Sequence, residues 1–419
     1  MKTSGKKVEI MSPAGSFESL IAAIKAGADS IYFGAGELNM RSGSIRFSVS
    51  DLVRIVRICK KNNVRCYLTL NSVMFDDDLN QMKKICIKAK KAGVDSIIAC
   101  DFSVIEFANQ IGLKVHLSTQ ANVSNFEAVR FFSRYADTIV LARELSLAQI
   151  DYICKMIQKN KLKGPSGKLV EIEVFVHGAL CVAVSGKCYM SLAQYNSSAN
   201  RGKCLQACRR RYRIIDDETN DELVVDNNFI MSPKDLCTIA MIDKLIESGV
   251  SVFKIEGRAR APEYVYTVTK IYKEAVLAVE NKSYSPFKVA KWKKELNKVF
   301  NRGFWENGYY LGKKNGEWAN AYGSVATTEK LKIGKVIHFY GKNKIAQIYI
   351  ESNGLSLNDK IMISGKTTGP VFLKVENIVD FSGKVVNVAS KGMKVTIPIK
   401  EKVRINDEVF LFRDRISYQ

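Results

Sequence analysis

Along the first 280 residues, short runs of β-branched and aromatic residues alternate with longer stretches of helical periodicity. The runs predict eight strands, at 8–11, 30–33, 65–70, 96–99, 114–117, 138–141, 172–176 and 252–255. Most intervening stretches are amphipathic. In 78–93, Leu79, Met82, Ile85, Cys86 and Ala89 fall on one face and lysines cover the other. Gly27, Gly93 and Gly112 stand where helices should end in a left-handed residue, and Ser124-Asn125-Phe126-Glu127 reads as a capping box opening another helix. The stretch Lys25-Ala26-Gly27-Ala28-Asp29-Ser30-Ile31 is echoed by Lys91-Ala92-Gly93-Val94-Asp95-Ser96-Ile97, and 248–253 follows the same helix, glycine, strand plan. Eight strands separated by helices predict an α/β fold, a (β/α)8 TIM-like barrel over 1–280, with an open doubly wound sheet as the alternative.

The crossover before the eighth strand is too long. Some 75 residues lie there, and 177–237 forms a Cys-rich insertion. Residues 281–330 read as a connector, with a helical pattern at 289–300 and then the aromatic stretch Phe304-Trp305-Glu306-Asn307-Gly308-Tyr309-Tyr310. From 331 to 419 the period changes to two. Strands are expected at 335–340, 345–351, 359–363, 371–379, 384–388, 394–397 and 408–412, punctuated by Gly341-Lys342-Asn343, Gly354 and Gly383. This predicts a small C-terminal antiparallel β-barrel.

Composition narrows the setting. The chain has 419 residues, 47% hydrophobic and 25% charged, as in ordinary globular proteins. No apolar run approaches the roughly 20 residues that span a bilayer. Met1-Lys2-Thr3-Ser4-Gly5-Lys6-Lys7 carries no apolar signal core, so a cytoplasmic protein is expected. A net charge of +22 suits a polyanionic partner such as RNA, although the richness in Lys, Asn and Ile also fits a bias of genome composition.

In a parallel barrel the reactive groups collect at the C-terminal ends of the strands. Those ends read Ser12-Pro13-Ala14-Gly15, Gly34-Ala35-Gly36, Asn71, Asp101, Ser118-Thr119-Gln120, Arg143-Glu144, His177-Gly178 and Glu256-Gly257-Arg258. Single members can equally be caps or turns, Asp101 and Ser146 above all. Cys59, Cys66, Cys86, Cys100 and Cys154 sit among apolar neighbours and read as buried hydrophobes. The other five cluster: Cys181-x6-Cys188-x15-Cys204-x3-Cys208, then Cys237. Paired CxxC knuckles of a zinc site are absent, and thiolates on irregular loops suit an iron–sulfur cluster. Structural zinc and inert thiols remain alternatives. Cys181, Cys188 and Cys204 are the safest ligands; the fourth is Cys237 or Cys208, with Cys237 preferred. Arg209-Arg210-Arg211-Tyr212-Arg213 beside them reads as an RNA grip of guanidiniums around a stacking ring, or as a solvated charged face.

Several of these segments resemble one family. Glu173-Val174-Phe175-Val176-His177-Gly178-Ala179-Leu180-Cys181 with Ser185-Gly186-Lys187-Cys188-Tyr189-Met190-Ser191 resembles the signature of the collagenase-like U-type peptidases. Ser12-Pro13-Ala14-Gly15, Ala28-Asp29 with Tyr32-Phe33-Gly34, Asn39-Met40-Arg41 and Lys254-Ile255-Glu256-Gly257-Arg258 add to it. The resemblance spans roughly 8–280. It implies an oxygen-independent hydroxylase with a [4Fe-4S] cluster held by Cys181, Cys188, Cys204 and Cys237, acting on a tRNA uridine, a ribosomal RNA cytidine or a quinone precursor, with prephenate as hydroxyl source. The C-terminal barrel resembles that of translation factors, which favours RNA.

The reading preferred here is an iron–sulfur RNA hydroxylase acting on tRNA wobble uridine. Arg41, Arg143 and Arg258 are candidates to hold a dicarboxylate donor, Glu256 sits beside them, and His177 is a candidate proton donor or a structural histidine. A peptidase is the main alternative, with Cys181 and His177 as nucleophile and base. Among three histidines, His116, His177 and His338, no familiar serine or zinc protease motif appears. A non-catalytic RNA-binding scaffold is the third.

Overall fold

The computed structural model describes residues 7–44, 46–223, 229–305 and 317–415. The lysine-rich start at 1–6 and the aromatic positions 306–310 lie outside them. Among the described residues no helix is long and apolar enough to cross a membrane.

The eight predicted strands form and close. They are β1 (Glu9–Ala14), β2 (Ser30–Gly34), β3 (Arg65–Leu70), β4 (Ser96–Ala99), β5 (Val115–Leu117), β6 (Thr138–Val140), β7 (Glu171–Gly178) and β8 (Val252–Ile255). Each pairs in parallel with the next. β8 pairs with both β7 and β1, through Val252↔Glu173 and Glu9↔Val252, so the sheet is a closed barrel rather than an open one.

Around it run α1 (Phe17–Lys25), α2 (Leu52–Lys61), α3 (Asp76–Ala92), α4 (Phe102–Gln110), α5 (Phe126–Phe132) and α6 (Leu147–Lys159). Their ends obey local chemistry. Three aspartates open α3, two lysines close it, and Gly93 follows at φ 81°, each matching the helix dipole or the left-handed cap. Asp101 and Ser146 are indeed caps, accepting from the Ser103 and Gln149 backbone N–H groups. The cap of α5 is Asn125, one residue later than the Ser124 box, because its carboxamide reaches the Ala128 N–H at 2.9 Å.

The barrel interior is not wholly apolar. Above Met11, Tyr67, Ile98 and Val252 lies a buried ion pair, Lys254 Nζ to Glu173 at 2.6 Å, with His116 Nδ1 3.2 Å from the other carboxylate oxygen. Tyr67 donates to Glu9, which also meets Arg65 at 2.5 Å.

The insertion after β7 is irregular and tied down at both flanks. Arg201 grips Asp78 on α3, and Arg209 donates to the Pro233 and Leu180 carbonyls. Its return, the short strand Asp235–Cys237, runs antiparallel to β7 and lays Cys237 opposite His177.

After the long helix Pro262–Glu280, the predicted connector helix forms at Pro286–Leu296, where Ser285 caps it and Pro286 takes the first position. The C-terminal sheet then begins at Thr328, slightly earlier than expected. Its seven antiparallel strands follow the order Gly369–Lys374, Lys360–Gly365, Glu408–Asp414, Thr328–Tyr340, Ile345–Ile350, Lys394–Pro398, Val379–Asp380. Alternate residues from these strands, such as Ile333, Ile348, Ile361, Val371, Val395 and Leu411, share one core, so the sheet curls around it. Among the described residues no ladder joins the two edge strands, which leaves this barrel-like sheet open. The expected strand at 371–379 is interrupted after Lys374, and 384–388 contributes only a bridge at Val385 and the start of the Val388–Ala389 pairing. The sheet docks on the parallel barrel through Phe372 against Tyr266, Lys330 to Glu263 at 2.8 Å, and Gly369, where an added Cβ would meet Ile21.

Candidate active site

The polar ends of the barrel strands surround a cavity of about 110 Å³ beneath the insertion. Glu256, just past β8, is its electrostatic centre. Burial pushes that carboxyl up, but Arg41, Arg258, Arg143 and Lys254 outweigh it, and the group is held below the ordinary carboxylate range. Arg41 Nε lies 3.8 Å from Glu256 Oε1. Tyr32 donates to the Ile255 carbonyl at 2.8 Å and stands 3.4 Å from Glu256 Oε2; burial, then the Glu256 charge, raises its phenol far above normal, so it stays a proton donor.

The cations are individually positioned. Arg258 is buried and donates to Thr69 Oγ1 at 2.5 Å, while its Nε has no hydrogen-bond partner. Arg143 donates to the Ala179 carbonyl and lies over the Phe175 ring. Lys254 rises from the interior ion pair between the faces of Tyr32 and Phe175. Opposite stands a polar shelf. Asn71 donates to Gln120 Oε1 at 2.5 Å, Ser118 donates to the same oxygen, and Gln120 returns a bond to the Asn71 carbonyl. With Lys254 paired to Glu173, three arginines around the Glu256 carboxylate leave net positive charge.

The insertion roofs this cavity with cysteines. Cys181, Cys188, Cys204 and Cys208 all line it, and none of the ten cysteines is in a disulfide. Burial raises the Cys208 thiol; Arg209 opposes that, and Cys181, Cys204 and Cys188 add to it, so the four sense one another's charge. Cys237 is elsewhere. It is buried on the antiparallel return strand, its sulfur 4.0 Å from the Tyr272 hydroxyl, and does not line the cavity. Cys208 thus lines the cavity with the other three, and Cys237 does not. The donor set fits a thiolate-bound metal centre. Among the described residues no three His, Cys, Asp or Glu side chains converge at metal-binding distance.

His177 is not at the cavity either. The β7–β8 register slips between Lys254 and Ile255, so His177 pairs with Ile255 and faces away from the barrel axis. It lies in an aromatic box of Tyr264, Tyr272 and Phe304, with Nδ1 3.3 Å from the Tyr272 hydroxyl, and burial pushes it down to about 3. It is buried away from the cavity, and burial keeps it neutral. Ser12 turns outward to Thr269, and Asp101 caps its helix. The arginine run divides as well. Arg209 is consumed in binding carbonyls, Arg210 stacks on Tyr195, Arg211 lies over Phe229, and exposed Arg213 faces Glu222.

Tyr32 and Lys254 are site residues not singled out from the chemistry of the strand ends. The signal for Lys254 was present: a lysine in the middle of Val252-Phe253-Lys254-Ile255 is a buried charge and needs a partner.

Comparison with known proteins agrees with the resemblance. The model of "Peptidase family U32" matches residues 15–320. A Porphyromonas gingivalis protein named collagenase is 51% identical over 408 residues, 97% of this chain and 98% of that one. A tRNA hydroxylation protein of Bacillus subtilis is 34% identical over 71% of this chain and 69% of its own. A 23S rRNA 5-hydroxycytidine synthase of Escherichia coli is 35% identical over 67% of this chain and 41% of its own. By the span of the family match, this chain belongs to peptidase family U32.

Proposed function

We propose that the protein is an iron–sulfur-dependent RNA hydroxylase, acting at C5 of the tRNA wobble uridine with a prephenate-like dicarboxylate as hydroxyl donor. The observation that carries this reading is the meeting of four free thiols with a cationic ring around Glu256 in one cavity. The tRNA and rRNA hydroxylation relatives support RNA as the substrate class.

In this reading Cys181, Cys188, Cys204 and Cys208 hold a [4Fe-4S] cluster, which supplies redox and Lewis-acid chemistry when bound. Arg41, Arg143 and Arg258 bind the donor's carboxylates, since guanidinium pairs with carboxylate in two parallel hydrogen bonds. Lys254 adds positive charge from below. Glu256 orients the arginines, and Tyr32 offers a retained proton at its hydroxyl.

The collagenase-named relative favours proteolysis as a second reading. A nucleophile–base pair is its requirement. His177 sits in its aromatic box, His116 is held by Glu173, and His338 packs on Tyr340 in the C-terminal sheet, so no histidine lines the thiol cavity.

The test is anaerobic purification with iron, sulfide and zinc assays, joined to nucleoside mass spectrometry of tRNA from a deletion strain and a gelatin-cleavage assay. Iron with matching sulfide, and a hydroxylated uridine that disappears on deletion, is the expected result. Gelatin cleavage by metal-free protein with unchanged tRNA nucleosides would overturn it.

A further inference from the structure

A second, larger cleft of about 760 Å³ opens between the catalytic barrel and the C-terminal sheet. Its barrel wall carries Arg46, Arg258 and Arg260, and its sheet wall carries Lys366 and Arg404. Three acidic groups lie on the same walls, Glu18, Asp407 and Glu408, and the last two are committed. Asp407 is buried, accepting from the Thr368 hydroxyl and the Arg404 N–H, and Glu408 is paired with Lys332 at 2.7 Å. Lys330 is likewise neutralised by Glu263. The remaining balance is positive, with Arg46 and Lys366 both exposed.

The helices Phe17–Lys25 and Pro262–Glu280 both begin in this cleft, through Ser16 and through Ala261-Pro262. Ser16 caps the first, and the nineteen-residue second helix has no side-chain cap but carries Glu263, paired with Lys330, in its first turn. Arg258 belongs to the walls of both cavities, so the cleft lies beside the site around Glu256.

We infer that this cleft is the track for the phosphodiester backbone of the RNA next to the target base, so that the C-terminal sheet is half of the substrate-binding surface. The inference rests on the RNA-hydroxylase reading and adds where the polyanion lies. A phosphate chain suits the cleft because it meets cations dispersed over both walls. The exposed arginines of the insertion are not required for this path.

The test is binding of an unmodified tRNA transcript to the full-length protein by fluorescence anisotropy, over a series of salt concentrations. Arg46→Glu with Lys366→Glu is expected to weaken binding about tenfold and to reduce the slope of log affinity against log salt by about 2. Both side chains are exposed, so iron content and unfolding midpoint should stay those of the wild type. Arg46→Gln with Lys366→Gln should give a smaller loss of the same sign. Unchanged affinity and slope in both pairs, with tRNA hydroxylation intact in the wild type, would overturn the cleft alone. A wild type that binds no RNA would overturn the functional reading and the cleft together.

Discussion

Lys254 and Glu173 meet at 2.6 Å on the axis of the barrel, both almost wholly buried. The pair does two jobs at different levels. It neutralises charge inside the barrel, and it sets Lys254 beneath the cavity, between Tyr32 and Phe175. A buried pair adds little over an apolar substitute, whereas removing one partner strands a charge.

Glu173→Gln should therefore destabilise the protein by about 3–5 kcal/mol, read as a lowered urea midpoint. Glu173→Gln with Lys254→Met should recover part of that loss, because the stranded ammonium is gone. The pH dependence has a defined sign. Burial opposes ionisation of Glu173, but Lys254 and His116 hold its carboxyl below the usual 4.5. Its stabilising share is thus present above that value and lost as pH falls through the lowered one. Equal stability of Glu173→Gln and the wild type at pH 7 would refute the account.

Arg41 is the largest of the cationic influences that keep Glu256 ionised against burial. Replacing it, as Arg41→Gln, lets burial regain ground, and the Glu256 pKa rises. Wild-type turnover should be flat across neutral pH and decline only below the ordinary carboxylate value of 4.5. The variant's acid limb should move toward neutral pH, together with a higher KM for the anionic donor. A variant with raised KM and an unmoved acid limb would leave Arg41 as a substrate contact without influence on Glu256.

The two cysteines left open by spacing are separated by geometry. Cys208 lines the cavity with Cys181, Cys188 and Cys204, whereas Cys237 is sealed behind it with Tyr272. Anaerobically purified wild type should carry about four irons per chain. Cys208→Ala should lose most of that iron and its visible absorption, and Cys237→Ala should keep both. The reverse pattern would restore Cys237 as the ligand.

The strands and helices were legible because each barrel strand is an apolar run bounded by polar or glycine residues, and because caps such as Asp101 and Ser146 announce helix starts. The polar strand ends gave Asn71, Gln120, Arg143, Glu256 and Arg258 correctly as cavity residues. Two features are invisible to spacing. One is the register slip opposite Lys254 and Ile255, which turns His177 from the axis although Phe175, two residues earlier, faces the cavity. The other is the antiparallel return of Asp235–Cys237, which buries a cysteine that the sequence merely shows as nearby. In the C-terminal sheet, the run at 371–379 looked continuous, yet polar Glu376 and Asn377 mark the break after Lys374.

The register slip carries its own test. Burial alone holds His177 near 3, against 6.5 in the ordinary state, so the folded protein keeps the ring neutral where the unfolded chain would protonate it. A histidine with a depressed pKa costs stability once pH falls below the unfolded value, by about 1.4 kcal/mol for each further pH unit. Urea midpoints measured at pH 7, 6, 5 and 4 should fall faster for the wild type than for His177→Gln. That replacement removes the titrating ring but keeps a partner for the Tyr272 hydroxyl. If instead His177 served as the proton donor in turnover, His177→Gln would abolish a limb of the pH–rate profile. With the ring turned outward into Tyr264, Tyr272 and Phe304, the profile should keep its shape and only the acid stability should change.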